Sequence, residues 1–187
     1  MSSTPLSQFQ QLPSFERLRS SEKHDEWFDL KRFQRFLNQI GNPERGLPVI
    51  HVVGSKGKGS TVALIASALQ ARGQKVGAFM SPYIGHPTEA IFVNGRPMNT
   101  AIFDRLMTSY GNLVEQYPVT SFEALTAMAL QHFHEQDVDF VVMEAGLGGL
   151  HDATNVVESP IATVVCPIEK EHTDVLGNSI ASIAFEK

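Results

Sequence analysis

The sequence has little cysteine and little net charge. It contains one cysteine, Cys166, among 187 residues, so no intrachain disulfide can form and a reducing compartment is expected. Its 15 Lys and Arg residues against 20 Asp and Glu residues give a net charge of −5. This balance argues against nucleic acid or an anionic membrane surface as the main partner.

Long apolar runs are also missing. No uninterrupted apolar stretch approaches the roughly 18 residues that cross a membrane, and the N-terminus lacks the apolar segment of a secretory signal. Hydrophobic residues make up 42% of the chain and charged residues 19%, which are the proportions of a globular protein. We therefore expect a soluble, cytoplasmic protein with neither nucleic-acid nor membrane partners.

Two parts of the chain differ in pattern. Residues 1–24 are rich in Ser and Gln and have no sustained hydrophobic period, so we expect a flexible N-terminal arm or a loosely docked segment. Residues 25–187 alternate β-branched runs with helical patterns. Strands are predicted at 49–53, 76–80, 90–93, 138–143 and 161–165, and helices at 27–40, 60–72, 99–116, 121–134 and 179–187. This alternation predicts an α/β fold: a mostly parallel sheet with helices on both faces.

The strongest single motif runs from residue 53 to residue 61, VGSKGKGST, between a predicted strand and a predicted helix. Successive backbone N–H groups in such a turn bind anions, and the helix N-terminus adds partial positive charge. A literal P-loop spacing requires glycine at position 52, where valine stands, so a glycine-rich surface turn is the alternative. The predicted phosphate-binding residues are Gly57, Lys58, Gly59, Ser60 and Thr61, with Lys58 reaching the β- and γ-phosphates.

Further blocks in the same order extend this motif. They are 51–60 (HVVGSKGKGS), 80–83, 89–95, 121–128, 144–155, 171–177 and 183–187. The chain resembles, from about residue 28 onward, the folylpolyglutamate synthase/dihydrofolate synthase family of the Mur ligase superfamily, whose phosphate loop reads HVAGTNGKGS. The resemblance implies a fold of the Mur-ligase central-domain type over residues 25–187. It also implies a C-terminal ligase domain that this chain lacks, so we do not expect ligation by the chain alone.

The resemblance implies an ATP-dependent acid–amino-acid ligase of folate biosynthesis. ATP and Mg²⁺ would convert the carboxylate of dihydropteroate or tetrahydrofolate to an acyl phosphate, and the amine of L-glutamate would attack it. Lys58, His172 and Lys187 are the implied catalytic residues, Lys187 matching a lysine that the family carbamylates. The implied metal ligands are Ser81, Glu144 and His172. The implied substrate contacts are Phe122, Glu123, Asp152, Ala153, Thr154 and Asn155.

Simpler interpretations of these residues remain open at this stage. Glu144 is a candidate ligand-site residue even without the resemblance, because a carboxylate at the end of a buried strand lies where α/β sheets bind ligands. The alternative is that Glu144 is a solvated carboxylate at a strand end. Phe122 could anchor the core, Asp152 could cap its own loop, and His172 and Lys187 could be ordinary surface residues. We expect His51 to be a hydrogen-bonded core histidine, and His132 and His134 to lie on a solvated helix face.

Five positions depart from the family pattern. They are Lys56, Tyr83, Ala90, Leu150 and Glu171, and two of them replace arginines. The alternative function is therefore a non-catalytic or truncated nucleotide-binding paralogue. A third candidate is a different P-loop enzyme such as a small kinase, although the sequence shows no arginine-rich lid.

Overall fold

A single mixed sheet organises the molecule. The computed structural model describes residues 4–14 and 29–187. The strands are β1 Val49–Val53, β2 Val76–Phe79, β3 Ile91–Val93, β4 Arg96–Pro97, β5 Phe140–Glu144 and β6 Ala162–Val165. Their order is β4-β3-β2-β5-β1-β6, with β2, β5, β1 and β6 parallel and β3 and β4 antiparallel. The prediction of a mostly parallel sheet is confirmed.

Helices cover both faces of this sheet. They are α1 Pro5–Gln11, α2 Leu30–Gln39, α3 Lys58–Ala71, α4 Thr100–Tyr110, α5 Leu113–Gln116, α6 Ser121–Glu135, α7 Thr173–Leu176 and α8 Ile180–Glu186. Short 3₁₀ turns occupy Pro87–Ala90 and Ala153–Val156. The helix predicted over 99–116 divides in two at Gly111, which ends α4. No helix within the described ranges is both long and apolar enough to cross a membrane.

The two faces carry hydrophobic cores of unequal size. On one face, aromatic residues of α2, α4 and α6, among them Phe33, Phe103 and Phe133, are fully buried with Val141 and Met143 of β5. The other face holds the smaller cluster, in which Val62 and Ala66 of α3 pack on β1, β2 and β5. The two cores fix the sheet on both sides, so the carboxyl ends of β1, β2 and β5 are held together at one edge. That edge is where doubly wound sheets bind ligands.

The start of the chain differs from what its pattern suggests. Within the segment expected to be an arm, Pro5–Gln11 form helix α1, capped by Thr4 and with proline in its first turn. Phe9 is buried and packs edge-on against Phe103 at 5.5 Å between ring centroids. A seven-residue helix with one buried aromatic residue is too short to show a period in the sequence. Residues 15–28, including part of the predicted helix 27–40, lie outside the described residues.

Candidate active site

The glycine-rich turn connects β1 to α3 in a conformation that requires glycine. Gly54 and Gly57 have φ angles of +140° and +81°, and a Cβ on Gly54 would lie 2.6 Å from the Cβ of Cys166. Ser55 N–H donates to the Pro167 carbonyl at 3.0 Å, which ties the turn to the chain after β6. Helix α3 has no side-chain cap. Its first N–H groups are therefore available to an anion.

Two lysines meet at one carbonyl of this turn. Lys58 Nζ donates to the Gly54 oxygen at 3.0 Å and Lys187 Nζ donates to the same oxygen at 2.8 Å. Lys187 also pairs with Glu171 Oε1 at 2.8 Å, and its side chain is only 2% exposed. The Gly54 carbonyl is neutral and Lys58 forms no ion pair within 4 Å among the described residues, although Glu144 and Glu171 lie close enough to interact with its charge. Lys56, two residues away, instead projects outward and pairs with Glu169.

Glu144 lies beneath the first turn of α3. It ends β5, and its Oε2 accepts a hydrogen bond from Ser81 N–H at 3.2 Å. A Cβ on Gly59 would lie 3.2 Å from the same oxygen, so glycine lets the helix pass close to the carboxylate. Burial raises the pKa of Glu144, an effect that the Ser81 hydrogen bond and the charge of Lys58 reduce. The site thus holds a desolvated carboxylate next to a cation and a phosphate-type loop.

A cavity of about 690 Å³ opens beside this carboxylate. Its lining residues are Phe9, Ser14, Lys58, Ser81, Pro82, Tyr83, Thr120, Ser121, Phe122, Glu123, Leu125, Glu144, Gly146, Leu147, His151, Asp152, Ala153 and His172. The cavity brings together Lys58, the three predicted metal ligands and four of the predicted substrate contacts. The other predicted residues, Thr154, Asn155, Lys187, Gly57, Gly59, Ser60 and Thr61, do not line it.

The donor set on this cavity fits magnesium. In the parts of the chain that the structure describes, no group of three or more His, Cys, Asp and Glu side chains is arranged to hold a metal ion. Mg²⁺ does not need one, because it commonly binds through one or two carboxylates, several waters and the phosphates of its substrate. Glu144 supplies a carboxylate, Ser81 a hydroxyl, and His172, in the left-handed region at φ +43°, starts α7 at the same cavity.

We call Lys58, Ser81, Glu144 and His172 the first wall of the cavity, and Phe122, Glu123 and Asp152 its second wall. Glu123 is already engaged by other side chains and backbone groups. Both of its carboxylate oxygens accept from Arg32 Nη2, at 2.6 and 2.8 Å, and Oε2 also accepts from Thr120 N–H at 2.7 Å in a capping box. These bonds tie α6 to α2. The substrate contact that the family resemblance implies for Glu123 stays a prediction; the observed bonds show that Glu123 is also a structural anchor that lines the cavity.

Phe122 and Asp152 combine both of the interpretations considered above. Phe122 lines the cavity and also packs against Phe79, with 5.7 Å between ring centroids. A Cβ on Gly146 would lie 2.6 Å from the Phe122 ring, so the ring fits closely into the backbone after β5. Asp152 lines the cavity and caps the 3₁₀ turn Ala153–Val156 through Thr154 N–H at 3.0 Å.

Two of the three predictions made for His51, His132 and His134 are confirmed. His51 is buried and hydrogen-bonded to Thr154 Oγ1 at 2.7 Å, as expected. His134 is exposed, also as expected, but the prediction for His132 is wrong. His132 is buried on α6 beside Phe133. The four-residue helical repeat from Met128 turns it inward.

Several cavity residues were not found from the sequence. Phe9 and Ser14 lie in the segment without a hydrophobic period, so no local signal marked them. Leu147 and His151 fall inside the block 144–155, where the sequence offered proximity to Glu144 and nothing more specific. Arg32 looks like one of several cations on α2, and its pairing with Glu123 spans 91 residues.

A glycine-rich turn at the carboxyl ends of parallel strands, with a lysine in front and a carboxylate beneath, is typical of α/β domains that bind phosphorylated ligands. Residues 52–187 match the family model of the Mur ligase middle domain. The chain belongs to the Mur ligase family.

Curated relatives narrow this further. The chain is 44% identical over 165 residues to the dihydrofolate synthase/folylpolyglutamate synthase of Bacillus subtilis, and 35% identical over 164 residues to the dihydrofolate synthetase of Saccharomyces cerevisiae. Each match covers 84% of this chain but only 38% of the relative. The chain therefore spans well under half the length of these relatives.

Solved structures share the fold. A complex of folylpolyglutamate synthase with AMPPCP and folate superimposes with a TM-score of 0.84 at 31% identity, covering 96% of this chain and 43% of that one. The Mycobacterium tuberculosis folylpolyglutamate synthase complexed with ADP and AMPPCP gives a TM-score of 0.78 at 34% identity, covering 87% of this chain and 38% of that one.

Proposed function

We propose that this domain binds Mg-ATP and activates the carboxylate of a folate-type substrate for amide formation with L-glutamate. The observation that carries the proposal is the meeting of Lys58, Glu144 and Asp152 on one cavity. The names of the relatives and of the nucleotide and folate complexes support the same substrates. The cytoplasmic location expected from composition is part of this proposal.

The chemistry explains why both walls are needed. A carboxylate oxygen of the substrate attacks the γ-phosphorus of ATP, forming a C–O–P linkage while the bond to the ADP oxygen breaks. The glutamate amine then attacks the carbonyl carbon and expels phosphate, losing a proton as the amide forms. Two anions must first approach each other, so catalysis is mostly positioning and charge neutralisation. Lys58 and the uncapped N-terminus of α3 supply that charge on the nucleotide side.

A bound magnesium ion would offset part of the negative charge of the triphosphate. We propose that Glu144 and Ser81 hold it, with His172 at the edge of the same site. Of these three residues, Glu144 is the one whose charged form a cation would stabilise most, because burial raises its pKa despite the Ser81 hydrogen bond and the charge of Lys58. On the other wall, Phe122 and Asp152 would contact the pterin ring, the first by stacking and the second as a hydrogen-bond acceptor.

Lys187 has two candidate roles. A carbamate on its amine, as the resemblance implies, would place a second negative charge beside Glu171, where the ion pair now lies at 2.8 Å. We propose instead that Lys187, as the ammonium, holds the Gly54 carbonyl and so the backbone of the phosphate loop. On this proposal its effect on nucleotide binding is indirect.

Trapping the activated intermediate tests the proposal. The chain is incubated with Mg-ATP, dihydropteroate and hydroxylamine, which converts an acyl phosphate to a stable hydroxamate. Hydroxamate and ADP in equal amounts, dependent on dihydropteroate and absent with Lys58→Ala, are expected. ADP release without hydroxamate, or hydroxamate from Lys58→Ala at the wild-type rate, would contradict the proposal.

One observation favours a second candidate, a nucleotide-binding domain without turnover. The resemblance implies arginines where Ala90 and Leu150 stand. Ala90 is fully buried and Leu150 is 43% exposed. Arginine forks bind carboxylates and phosphates in a way that neither residue can. Tight Mg-ATP binding with no ADP release in the trapping experiment would establish this candidate and exclude the first for this chain.

A further inference from the structure

A buried chain of hydrogen bonds connects β1, the strand before the phosphate loop, to Asp152 on the second wall of the cavity. His51 Nε2 lies 2.7 Å from Thr154 Oγ1, and Thr154 Oγ1 donates to Asp152 Oδ1 at 2.5 Å. His51 and Asp152 are each 5% exposed and Thr154 is fully buried. Buried polar groups are costly unless they are fully bonded, so this chain constrains the loop that follows β5.

The direction of the bonds fixes the tautomer of His51. The Thr154 hydroxyl has one proton, which it gives to the Asp152 carboxylate, so its oxygen must accept from His51. His51 Nε2 therefore carries the hydrogen. Burial lowers the pKa of His51, partly countered by the charge of Asp152, and this keeps the ring neutral with a single donor at Nε2.

The chain ends on a clamped carboxylate. Asp152 Oδ1 also accepts from Thr154 N–H at 3.0 Å, and Oδ2 accepts from Leu147 N–H at 2.8 Å. Asp152 and Leu147 line the cavity, whereas Thr154 and His51 do not. His51 belongs to β1, which pairs on both sides, with β5 and β6. The hydrogen bonds thus tie the position of the Asp152 carboxylate to a central strand of the sheet.

We infer that His51 is a positioning residue for the substrate: through Thr154 it holds the Asp152 carboxylate where the N–H donors of a flat heterocycle can reach it. The inference rests on the proposed function, since it concerns the substrate side of that site. It also gives Thr154 an indirect role in place of the predicted direct contact with the substrate. Thr154 transmits the position of β1 to Asp152 and does not touch the ligand.

The test uses variants that break the chain in different places. Thr154→Val removes the hydroxyl at nearly constant shape, Thr154→Ser keeps it, His51→Phe removes the donor, and His51→Gln keeps an N–H near the position of Nε2. His132→Phe is the matched control, because His132 is equally buried but away from the cavity. Calorimetry measures the Kd of dihydropteroate and, separately, the Kd of Mg-ATP for each protein.

Thr154→Val and His51→Phe should weaken dihydropteroate binding by about tenfold, the effect of losing one hydrogen bond to a charged group. Mg-ATP affinity should stay within about threefold, and Thr154→Ser, His51→Gln and His132→Phe should resemble wild type. In NMR spectra of the ligand-free protein, the backbone amide resonance of Leu147 should shift in Thr154→Val and His51→Phe but not in the other variants, because this amide donates to Asp152.

The outcomes separate the inference from the proposed function. Wild type that binds Mg-ATP but not dihydropteroate overturns the proposed substrate and the inference with it. Wild-type affinity for dihydropteroate in Thr154→Val, equal losses of both ligands, or an unmoved Leu147 resonance overturns the inference alone and leaves the proposed function standing.

Discussion

The two walls of the cavity use charge in opposite ways. On the first wall, Lys58 donates to a backbone carbonyl, and α3, which Lys58 begins, has no side-chain cap, so positive charge is available to an anionic ligand. On the second wall, Glu123 and Asp152 each accept hydrogen bonds at both carboxylate oxygens. The carboxylates of the second wall therefore both stabilise the local fold and line the cavity. Substitutions on the first wall should therefore mainly lower ligand affinity, whereas substitutions on the second wall should also lower the stability of the fold.

Two carboxylates beside Lys58 sharpen this contrast. Burial raises the pKa of Glu144, and the Ser81 hydrogen bond and the charge of Lys58 oppose this effect without reversing it. Burial acts in the same direction on Glu171, but hydrogen bonds from Lys187 and Ser55 outweigh it, and the pKa of Glu171 is lowered. In the folded protein, the charged form of Glu144 is disfavoured and a bound cation would stabilise it. The charged form of Glu171 is already stabilised by its hydrogen bonds to the protein.

The largest effect is expected at Glu123. Glu123→Ala leaves Arg32 largely buried without its carboxylate, and we expect a loss of about 3 kcal/mol or more in the free energy of unfolding. Chemical denaturation measures it. Glu135→Ala breaks the exposed pair with Arg105 and serves as the control, with an expected loss below about 1 kcal/mol. Equal losses in the two variants would remove the distinction between the walls.

Glu144→Gln should weaken the effect of magnesium on ATP affinity by about tenfold, since a bound cation is the largest charge in such a site. The same change should raise stability at neutral pH. The folded protein holds the Glu144 proton more tightly than the unfolded chain, so wild-type stability falls as pH rises from about 4 through the raised pKa. The melting temperatures of wild type and Glu144→Gln should therefore converge at pH values below that window. A Glu144→Gln variant less stable than wild type at pH 7 would contradict the expected gain in stability.

Glu171→Gln should have the opposite and smaller effect, a loss of about 1 kcal/mol at neutral pH. A lowered pKa contributes stability above the ordinary carboxylate range, and that contribution disappears as pH falls through the folded-state pKa. The difference from wild type should therefore close in acid. Glu169→Gln, which breaks the exposed pair with Lys56, is the control and should show no measurable change at either pH.

Sequence patterns predicted the first wall of the cavity much better than the contacts that support the second wall. The order of strand, glycine-rich turn and helix is local, so it located Lys58 and the strand end at Glu144 without knowledge of the fold. The pairing of Arg32 with Glu123 joins residues 91 positions apart, and the His51–Thr154 contact spans 103. No local period encodes such contacts. The docking of Phe9 was missed for a related reason, because a single buried aromatic residue creates no pattern.

The central claim is that the turn between β1 and α3 binds the triphosphate of ATP through Lys58. Calorimetric titration of Mg-ATP into wild type, Lys58→Ala and Lys56→Ala tests it directly, because both lysines lie in the same turn but only Lys58 faces the cavity. Loss of one charge-assisted contact should weaken binding by about 10- to 100-fold for Lys58→Ala, while Lys56→Ala should bind as wild type does. Equal affinity in Lys58→Ala and wild type, or equal losses in both variants, would contradict the account.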